Sequence, residues 1–151
     1  MTPKKIIIYT DGAARGNPGL SGSGAYITDG AGTVIKECVK FLGHQTNNFA
    51  EYEAIILGLE AVKKLYGDKK TKELEVEVRM DSQLAQRQLT GQYQIKEPTL
   101  FPQFIKIWNL RVTNFPHIKF THIPREKNKD ADRLSNEAID KREHAPATLG
   151  L

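Results

Sequence analysis

The sequence predicts an α/β fold in which a five-stranded mixed β-sheet is flanked by helices on both faces. Two observations carry this prediction. The first third of the 151-residue chain reads as three strands joined by glycine-rich turns, and the remainder alternates helices with strands. Strands joined by tight turns pair antiparallel, whereas strands joined through helices pair in parallel, so one sheet is expected to contain both pairings.

Five segments have the pattern of β-strands. The three isoleucines at residues 6–8 form the strongest strand signal, and residues 74–80 alternate apolar and polar side chains as a half-buried strand does. The glycine-rich residues 11–19 are predicted to form a long turn, residues 29–32 a hairpin turn and residues 43–48 a polar loop. The predicted strands are residues 6–10, 23–28, 33–42, 74–80 and 118–123.

Helices are predicted over residues 49–66, 82–89, 104–112 and 129–141. In the first of these, helical spacing places one set of residues on the face that should pack against the sheet. This set is Glu51, Ala54, Ile55, Gly58, Val62 and Leu65. Asn48 is the candidate N-cap and Gly67 the stop signal of this helix.

In the third predicted helix, Trp108 is spaced with Phe104, Ile105 and Val112 along one face. Tryptophan at such spacing is more often part of a core than a platform for stacking bases. The sequence therefore predicts that this face of the helix is buried.

Composition is that of a soluble globular protein, with 39% hydrophobic and 26% charged residues. A single domain is expected over residues 1–141, as a monomer, with a flexible C-terminal tail over residues 142–151. No apolar stretch is long enough for a membrane span, so no membrane partner is expected. Cys38 is the only cysteine, which favours a reducing cytoplasm. The net charge of +4 gives mild support for a polyanionic partner.

Four acidic residues lie at the ends of predicted elements. Asp11 and Asp81 each close a predicted strand, while Glu51 and Asp132 lie in the first turns of predicted helices. Acids at the ends of neighbouring strands and adjoining helices are expected to converge on one edge of the sheet. Clustered carboxylates repel each other and are stable mainly when cations neutralise them. Oxygen ligands select hard divalent ions, so the pattern predicts an Mg²⁺ or Mn²⁺ site in an enzyme acting on phosphates.

Each acid taken singly also has a structural interpretation. Glu51 completes a capping-box-like pattern with Asn48, Asp81 precedes a helix that it could cap, and Asp132 suits the positive end of a helix dipole. Asp11 could be an ordinary turn aspartate. One shared explanation is favoured because all four acids lie at element ends that face the same region. Other chemistries lack support: the histidines show no zinc-ligand spacing, and no Walker-type phosphate loop is present.

Four motifs in these positions resemble type 1 ribonuclease H. They are residues 9–19 (YTDGAARGNPG), 46–51 (TNNFAE), 80–83 (MDSQ) and 128–132 (NKDAD), and they occur in the family's order. The resemblance implies a ribonuclease H-like fold with strand order 3-2-1-4-5. It also implies an endoribonuclease that hydrolyses the RNA strand of RNA/DNA hybrids and leaves 5′-phosphate and 3′-hydroxyl ends.

The resemblance also implies roles for individual residues. Asp11, Glu51, Asp81 and Asp132 would bind two Mg²⁺ ions, with Mn²⁺ as a possible substitute, about 4 Å apart. One ion would activate the attacking water and the other would stabilise the departing 3′ oxygen. The implied substrate contacts are Gly12, Asn17, Thr46, Asn47 and Gln83; of these, Asn17, Asn47 and Gln83 match positions in the minor groove of the hybrid, and Thr46 matches one that holds a DNA phosphate.

The chain departs from the family pattern in three places. Between Asp81 and Leu100 there is no room for the extra helix and basic loop of some members, as in the compact archaeal and minimal bacterial forms. Glu97 and His44 stand where those members have an asparagine and an arginine in the DNA-phosphate pocket. Arg125 is the nearest candidate for the task of a mobile histidine that helps product leave, and a solvent-exposed surface arginine is its alternative.

The sequence is also compatible with two other functions. A related two-metal nuclease would also accept double-stranded RNA, and a hybrid-binding module would have weak catalysis or none. The presence of all four acids argues against the binding module. A fragment of a reverse transcriptase is disfavoured, because a short chain starting at Met1 fills the fold by itself.

Overall fold

A computed structural model describes residues 3–142 of the chain. Their strands form one five-stranded sheet in the order β3-β2-β1-β4-β5. β1 pairs antiparallel with β2, as β2 does with β3, whereas β1 and β4 pair in parallel, as do β4 and β5. The strands are β1 (Lys5–Arg15), β2 (Gly19–Asp29), β3 (Val34–Gln45), β4 (Glu75–Met80) and β5 (Ile118–His122). The predicted mixed sheet and its strand order are confirmed.

Four α-helices accompany the sheet within residues 3–142. They are α1 (Asn47–Thr71), α2 (Gln83–Leu89), α3 (Phe101–Thr113) and α4 (Lys129–Asp140), with short 3₁₀ turns at Pro98–Leu100 and Arg125–Lys127. Only a loop and one 3₁₀ turn lie between α2 and α3, so the extra helix of larger family members is absent from this part of the described chain, as expected. None of the helices in residues 3–142 combines the length and apolarity that crossing a membrane requires.

The helices cover both faces of the sheet. Ala25 of β2 faces Gly58 of α1, whereas its neighbour Gly24 faces Leu134 of α4. Because successive residues of a strand point to opposite faces, α1 and α4 lie on opposite sides. Ile6, Ile8 and Tyr52 are among the largest fully buried side chains of the core, which includes residues of the sheet and of α1.

Helix α4 lies directly against the backbone of β2. A Cβ atom built on Gly24 would come within 2.7 Å of the backbone oxygen of Ala131 and within 2.6 Å of the Cβ of Leu134. Any side chain there would push the helix outward, since real Cβ contacts are longer than this. The glycine therefore sets the distance between α4 and the sheet.

Several predicted boundaries were wrong. Residues 11–15, predicted as part of a turn, continue β1 and pair with β2, with Asp11 opposite Gly24. β3 likewise continues to Gln45. The N-cap of α1 is Thr46 rather than Asn48, and its hydroxyl accepts a hydrogen bond from the backbone nitrogen of Phe49 at 3.1 Å. Helical residues continue to Thr71 beyond Gly67, which is non-helical at φ +82°.

The prediction for the third helix was wrong about its buried face. Trp108 is 52% exposed, and Ile105 and Val112 are also exposed. The buried residues of α3 are Gln103, Ile107 and Leu110. Both faces of this helix carry apolar residues, so spacing alone favoured the wrong one. On α1, Leu65 is also exposed rather than packed on the sheet. The C-terminal tail predicted for residues 142–151 lies outside the described residues from 143 onward.

Candidate active site

A cavity of about 440 Å³ opens where β1, β4 and the N-terminal turns of α1 and α4 meet. All four predicted acids line it, together with Arg125 and two of the residues implied as substrate contacts. The lining residues are Asp11, Gly12, Ala13, Ala14, Asn47, Asn48, Glu51, Asp81, Ser82, Arg125 and Asp132. The predicted convergence of the acids on one place is confirmed.

Neighbouring parallel strands bring the first two acids together. Thr10 of β1 pairs with Met80 at the end of β4, so the residues that follow, Asp11 and Asp81, emerge side by side. Asp11 is 6% exposed, and its Oδ1 accepts a hydrogen bond from the backbone nitrogen of Gly12 at 3.0 Å. Asp11 therefore lies within β1 rather than at its end, but still beside Asp81.

A close approach of β1 to α1 brings Glu51 to the same place. A Cβ atom on Gly12 would lie 2.2 Å from the backbone carbon of Ala50 and 2.3 Å from the nitrogen of Glu51. Only glycine permits this contact between the strand and the second turn of α1. One carboxylate oxygen from each of Asp11, Glu51 and Asp81 lies within 4.8 Å of the others.

Asp132 lies outside this group of three, but its carboxylate is close enough to Asp11 to help raise the pKa of that residue. It lies in the first turn of α4, is exposed and lines the same cavity. Its backbone nitrogen donates to the carbonyl of Asn128 at 3.1 Å, and its own carbonyl accepts from Asn136 at 3.0 Å. The fourth acid is thus supplied by the helix on the opposite side of the sheet from α1.

Burial and mutual repulsion make the acid cluster electrostatically costly. Burial, followed by the charge of Asp81, raises the pKa of Asp11 from its ordinary value of 3.8 to about 7. Burial and the charges of Asp11 and Asp81 also raise the pKa of Glu51 well above its usual range. A divalent cation would favour the ionised forms, and the donor set consists of carboxylate oxygens alone. The three acids therefore fit a hard ion such as Mg²⁺ or Mn²⁺.

Asn17 and Asn47 are fixed by hydrogen bonds beside the acids. Oδ1 of Asn47 accepts from the backbone nitrogen of Ala14, and Oδ1 of Asn17 accepts from the backbone nitrogen of Asn47, both at 3.0 Å. These bonds fix the amide oxygens as acceptors, and within residues 3–142 neither Nδ2 group donates a hydrogen bond. Two amide donors are therefore oriented and available next to the cavity.

The remaining predicted contacts lie outside the lining of the cavity. Thr46 is the N-cap of α1, one residue before Asn47, and Gln83 is the exposed first residue of α2. Ser82, between Asp81 and Gln83, caps α2 through a hydrogen bond from the backbone nitrogen of Ala85 at 3.1 Å. The short spacing from Asp81 to Gln83 keeps Gln83 near the acids by covalent connection.

Arg125 is exposed, begins a 3₁₀ turn and lines the cavity. His122 is the last residue of β5, so it belongs to the strand as predicted. Glu97 accepts a hydrogen bond from Nδ2 of Asn48 at 2.7 Å, which places its carboxylate beside the first turn of α1 and near Thr46. His44 is exposed in β3, two residues before Thr46.

Sequence reasoning gave no role to Asn128, although this residue begins the fourth motif. Its side chain is buried and donates to Oδ2 of Asp81 at 3.2 Å. An asparagine directly before a helix reads as an N-cap, but this one makes no side-chain capping bond. The position of the asparagine in the motif was the only available signal, and it does not reveal which way the side chain turns.

Comparison with known proteins gives consistent matches over the same region. A family model described as reverse transcriptase-like matches residues 9–138. The structure of LC11-RNase H1, isolated from compost by a metagenomic approach, is 54% identical with a TM-score of 0.86, and the match covers 92% of this chain and 98% of that one. The same protein in complex with an RNA/DNA hybrid matches at 53% identity and the same TM-score, over 91% and 98% of the two chains.

Some relatives are longer than this chain. Ribonuclease HI of Halobacterium salinarum is 39% identical over 90% of this chain and 65% of its own length. The bifunctional protein Rv2228c of Mycobacterium tuberculosis is 38% identical over 90% of this chain and 36% of its own length. This chain thus spans about two thirds of the first and about a third of the second. Since LC11-RNase H1 is matched over nearly its whole length at more than half identity, the chain belongs to the ribonuclease H1 family.

Proposed function

We propose that this protein is an endoribonuclease that hydrolyses the RNA strand of RNA/DNA hybrids. The observation that carries the proposal is the acid cavity, in which Asp11, Glu51 and Asp81 offer carboxylate oxygens within 4.8 Å of one another. Asp132 lines the same cavity. The similarity to an RNase H1 that has been solved with an RNA/DNA hybrid supports the choice of substrate.

The four acids are proposed to hold two divalent cations, Mg²⁺ or Mn²⁺. When bound, these ions would supply an activated water and stabilise the departing 3′ oxygen, so that cleavage leaves 5′-phosphate and 3′-hydroxyl ends. The chain's own contribution is a fixed arrangement of negative charge. β1 and β4 hold Asp11 and Asp81 in register, and the contact at Gly12 holds Glu51 against them.

Selectivity for RNA is proposed to come from the amide groups beside the cavity. Asn17 and Asn47 have their oxygens occupied and their Nδ2 groups free within the described residues, so both present donors. Together with Gln83, these donors are suited to the minor groove, where the ribose 2′-hydroxyl distinguishes RNA from DNA. Contacts to backbone and sugar carry no base code, so cleavage is expected to tolerate many sequences.

The other substrate contacts are proposed on the DNA side and at the cleavage point. Thr46 would hold a phosphate of the DNA strand, and Gly12 would meet the substrate with its backbone because it has no side chain. Arg125, which lines the cavity, would hold the scissile or departing phosphate electrostatically. Arginine keeps its charge at all relevant pH values and so cannot relay protons as a histidine would.

We further propose that residues 1–141 act as one domain, as a monomer in the cytoplasm. Double-stranded RNA is an alternative substrate that remains to be tested. The ribonuclease HI of Halobacterium salinarum and Rv2228c extend beyond the region that this chain matches. The activities of those whole proteins are therefore carried over to this chain only as proposals.

One cleavage experiment tests the central proposal. End-labelled RNA/DNA, RNA/RNA and DNA/DNA duplexes are incubated with the protein in Mg²⁺, in Mn²⁺ or in EDTA, and the products are separated on a denaturing gel. Internal cuts are expected in the RNA strand of the hybrid, with 5′-phosphate ends, and EDTA should abolish them. Cuts in RNA/RNA would add double-stranded RNA to the substrates.

Three results would contradict the proposal. Cleavage of DNA/DNA, or full cleavage in EDTA, is incompatible with a metal-dependent ribonuclease H. Binding of hybrid without any cleavage in either metal would instead favour a hybrid-binding module. Glu73→Gln serves as a control variant, because Glu73 is an exposed acid that lies before β4, at the opposite end of that strand from Asp81, and does not line the cavity. This variant should cleave as the wild type does.

A further inference from the structure

Asn128 is buried between three segments that carry acids. Its side chain is 1% exposed. Nδ2 donates to the backbone carbonyl of Thr10 at 2.9 Å and to Oδ2 of Asp81 at 3.2 Å. The backbone carbonyl of Asn128 accepts from the backbone nitrogen of Asp132 at 3.1 Å. One residue therefore contacts Asp81, the residue before Asp11 and the first turn of α4.

The orientation of this amide follows from its partners. Both groups facing Nδ2 are oxygens, the backbone carbonyl of Thr10 and the carboxylate of Asp81, and both accept hydrogen bonds from the amide NH₂. The reversed amide would place Oδ1 against these two oxygens and lose both hydrogen bonds. Asn128 therefore acts as a donor to Asp81.

A purely structural role leaves part of this arrangement unexplained. Oδ1 of Asn128 is buried and has no hydrogen-bond partner among the described residues. An unpartnered buried acceptor is unfavourable to the folded state. The side chain also makes no capping bond to α4, although its position at the start of the helix would permit one. The side chain therefore hydrogen-bonds to Asp81 instead of stabilising α4 as an N-cap.

We propose that Asn128 is a positioning residue that fixes the orientation of the Asp81 carboxylate for metal binding. A hydrogen bond to one carboxylate oxygen restricts rotation about the Cβ–Cγ bond. The other oxygen of the carboxylate then has a defined direction. Because the same Nδ2 group is anchored on the carbonyl of Thr10, that direction is set relative to Asp11, the next residue of β1. This inference rests on the proposed function, since it concerns the same acid site.

Asn114 provides a matched comparison elsewhere in the molecule. It is 2% exposed, and its Nδ2 donates to Oδ1 of Asp68 at 2.9 Å and to Oγ1 of Thr71 at 3.2 Å. The two asparagines are thus similarly buried, and in each Nδ2 donates to one carboxylate and to one other oxygen, although Oδ1 of Asn114 also accepts from Thr113 at 2.9 Å. Neither Asn114 nor its partners line the acid cavity, so its removal reports only on structure.

The experiment compares Asn128→Ala with Asn114→Ala. Three quantities are measured: the melting temperature without metal, the affinity of the free protein for Mn²⁺ by calorimetry, and kcat and KM on a hybrid at saturating metal. Both variants should melt at lower temperature than the wild type. Only Asn128→Ala is expected to weaken Mn²⁺ binding, by about tenfold or more, as loss of a bond to a metal ligand typically does. Its kcat should fall while KM for the hybrid stays within about twofold.

Asn128→Ser is the second variant and keeps a shorter donor. It should fold if the alanine variant does not, and its Mn²⁺ affinity should lie between those of the alanine variant and the wild type. The proposal is overturned if Asn128 variants lower the melting temperature but leave Mn²⁺ affinity and kcat as in Asn114→Ala. Normal Mn²⁺ binding by a wild type that cleaves no hybrid would contradict the proposed function instead, and the binding measurement would still decide the role of Asn128.

Discussion

Replacing Asp11 by asparagine should stabilise the metal-free protein, even though it removes a proposed catalytic group. Burial and the charge of Asp81 raise the pKa of Asp11 from 3.8 to about 7. A raised pKa means that the folded protein binds the proton more tightly than the unfolded chain does. The stabilising effect of that proton is therefore complete below about pH 4 and is lost as the pH rises to about 7.

The magnitude follows from the same two pKa values. Their difference corresponds to at most about 4 kcal/mol of free energy that the ionised Asp11 costs the folded state above pH 7. Asparagine is nearly the same size, keeps an oxygen to accept from Gly12 and carries no charge. At pH 8 in EDTA, the free energy of unfolding of Asp11→Asn should be about 1–4 kcal/mol higher than that of the wild type. For a domain of this size, this difference corresponds to a rise in melting temperature of about 3–10 °C.

Thermal unfolding followed by circular dichroism between pH 4 and pH 8 measures this difference. The gap between variant and wild type should be small near pH 4 and widest at pH 8. Adding Mg²⁺ at pH 8 should raise the melting temperature of the wild type more than that of the variant, because only the wild type keeps all of its metal ligands. Turnover of hybrid by the variant should nearly vanish.

The exposed acid Glu73 supplies the control, since Glu73→Gln makes the same change in net charge. It should leave the melting temperature unchanged at every pH. An Asp11→Asn variant that is active on hybrid and markedly less stable than the wild type in EDTA would refute the reasoning. So would a gap between the two proteins that is equally large at pH 4 and pH 8.

Three further outcomes are expected. Glu97→Asn should tighten hybrid binding by roughly two- to fivefold at low salt by removing one repulsion, measured by fluorescence anisotropy across salt concentrations; weaker or salt-independent binding would mean that Glu97 lies away from the DNA phosphates. Arg125→Ala should lower kcat by about tenfold, with unchanged metal affinity and folding. Arg125→Lys should recover part of the lost kcat. A wild-type kcat in the alanine variant would mean that Arg125 is an ordinary surface charge. Gly12→Ala should cost about 3 kcal/mol or more in urea unfolding and lower kcat, because its Cβ would overlap the backbone of Ala50; normal stability would show that β1 and α1 can separate freely.

The strands and the acids beside them were predictable because their signals are local, whereas the strand order was implied by the resemblance to type 1 ribonuclease H. The isoleucines of β1 and the alternation of β4 mark two strands, and the acid that follows each one is read directly from the sequence. The extension of β1 past Asp11 was not predictable in this way. This extension opens a glycine-rich segment with the composition of a turn, and it becomes a strand through pairing with β2, largely with its small residues.

The buried face of α3 and the role of Asn128 were missed for a related reason. Apolar residues lie on both faces of α3, so the helical periodicity alone does not identify the buried face. That face is decided only when α3 packs beside α1. Asn128 is separated from Asp81 by 47 residues, and nothing local indicates that its amide turns toward β4 instead of capping α4. Contacts between distant segments decide both cases.

The contact between Gly24 and α4 makes position 24 intolerant of any side chain, although a glycine has no chemical group that would suggest such a constraint. Ala131, whose carbonyl lies where a side chain of Gly24 would be, is the immediate neighbour of Asp132. A methyl group added at Gly24 would therefore press on the segment of α4 that carries the fourth acid, from the strand position that pairs with Asp11. Sequence variation at Gly24 should therefore be restricted, and an engineer could disturb the acid site from a position that does not line its cavity.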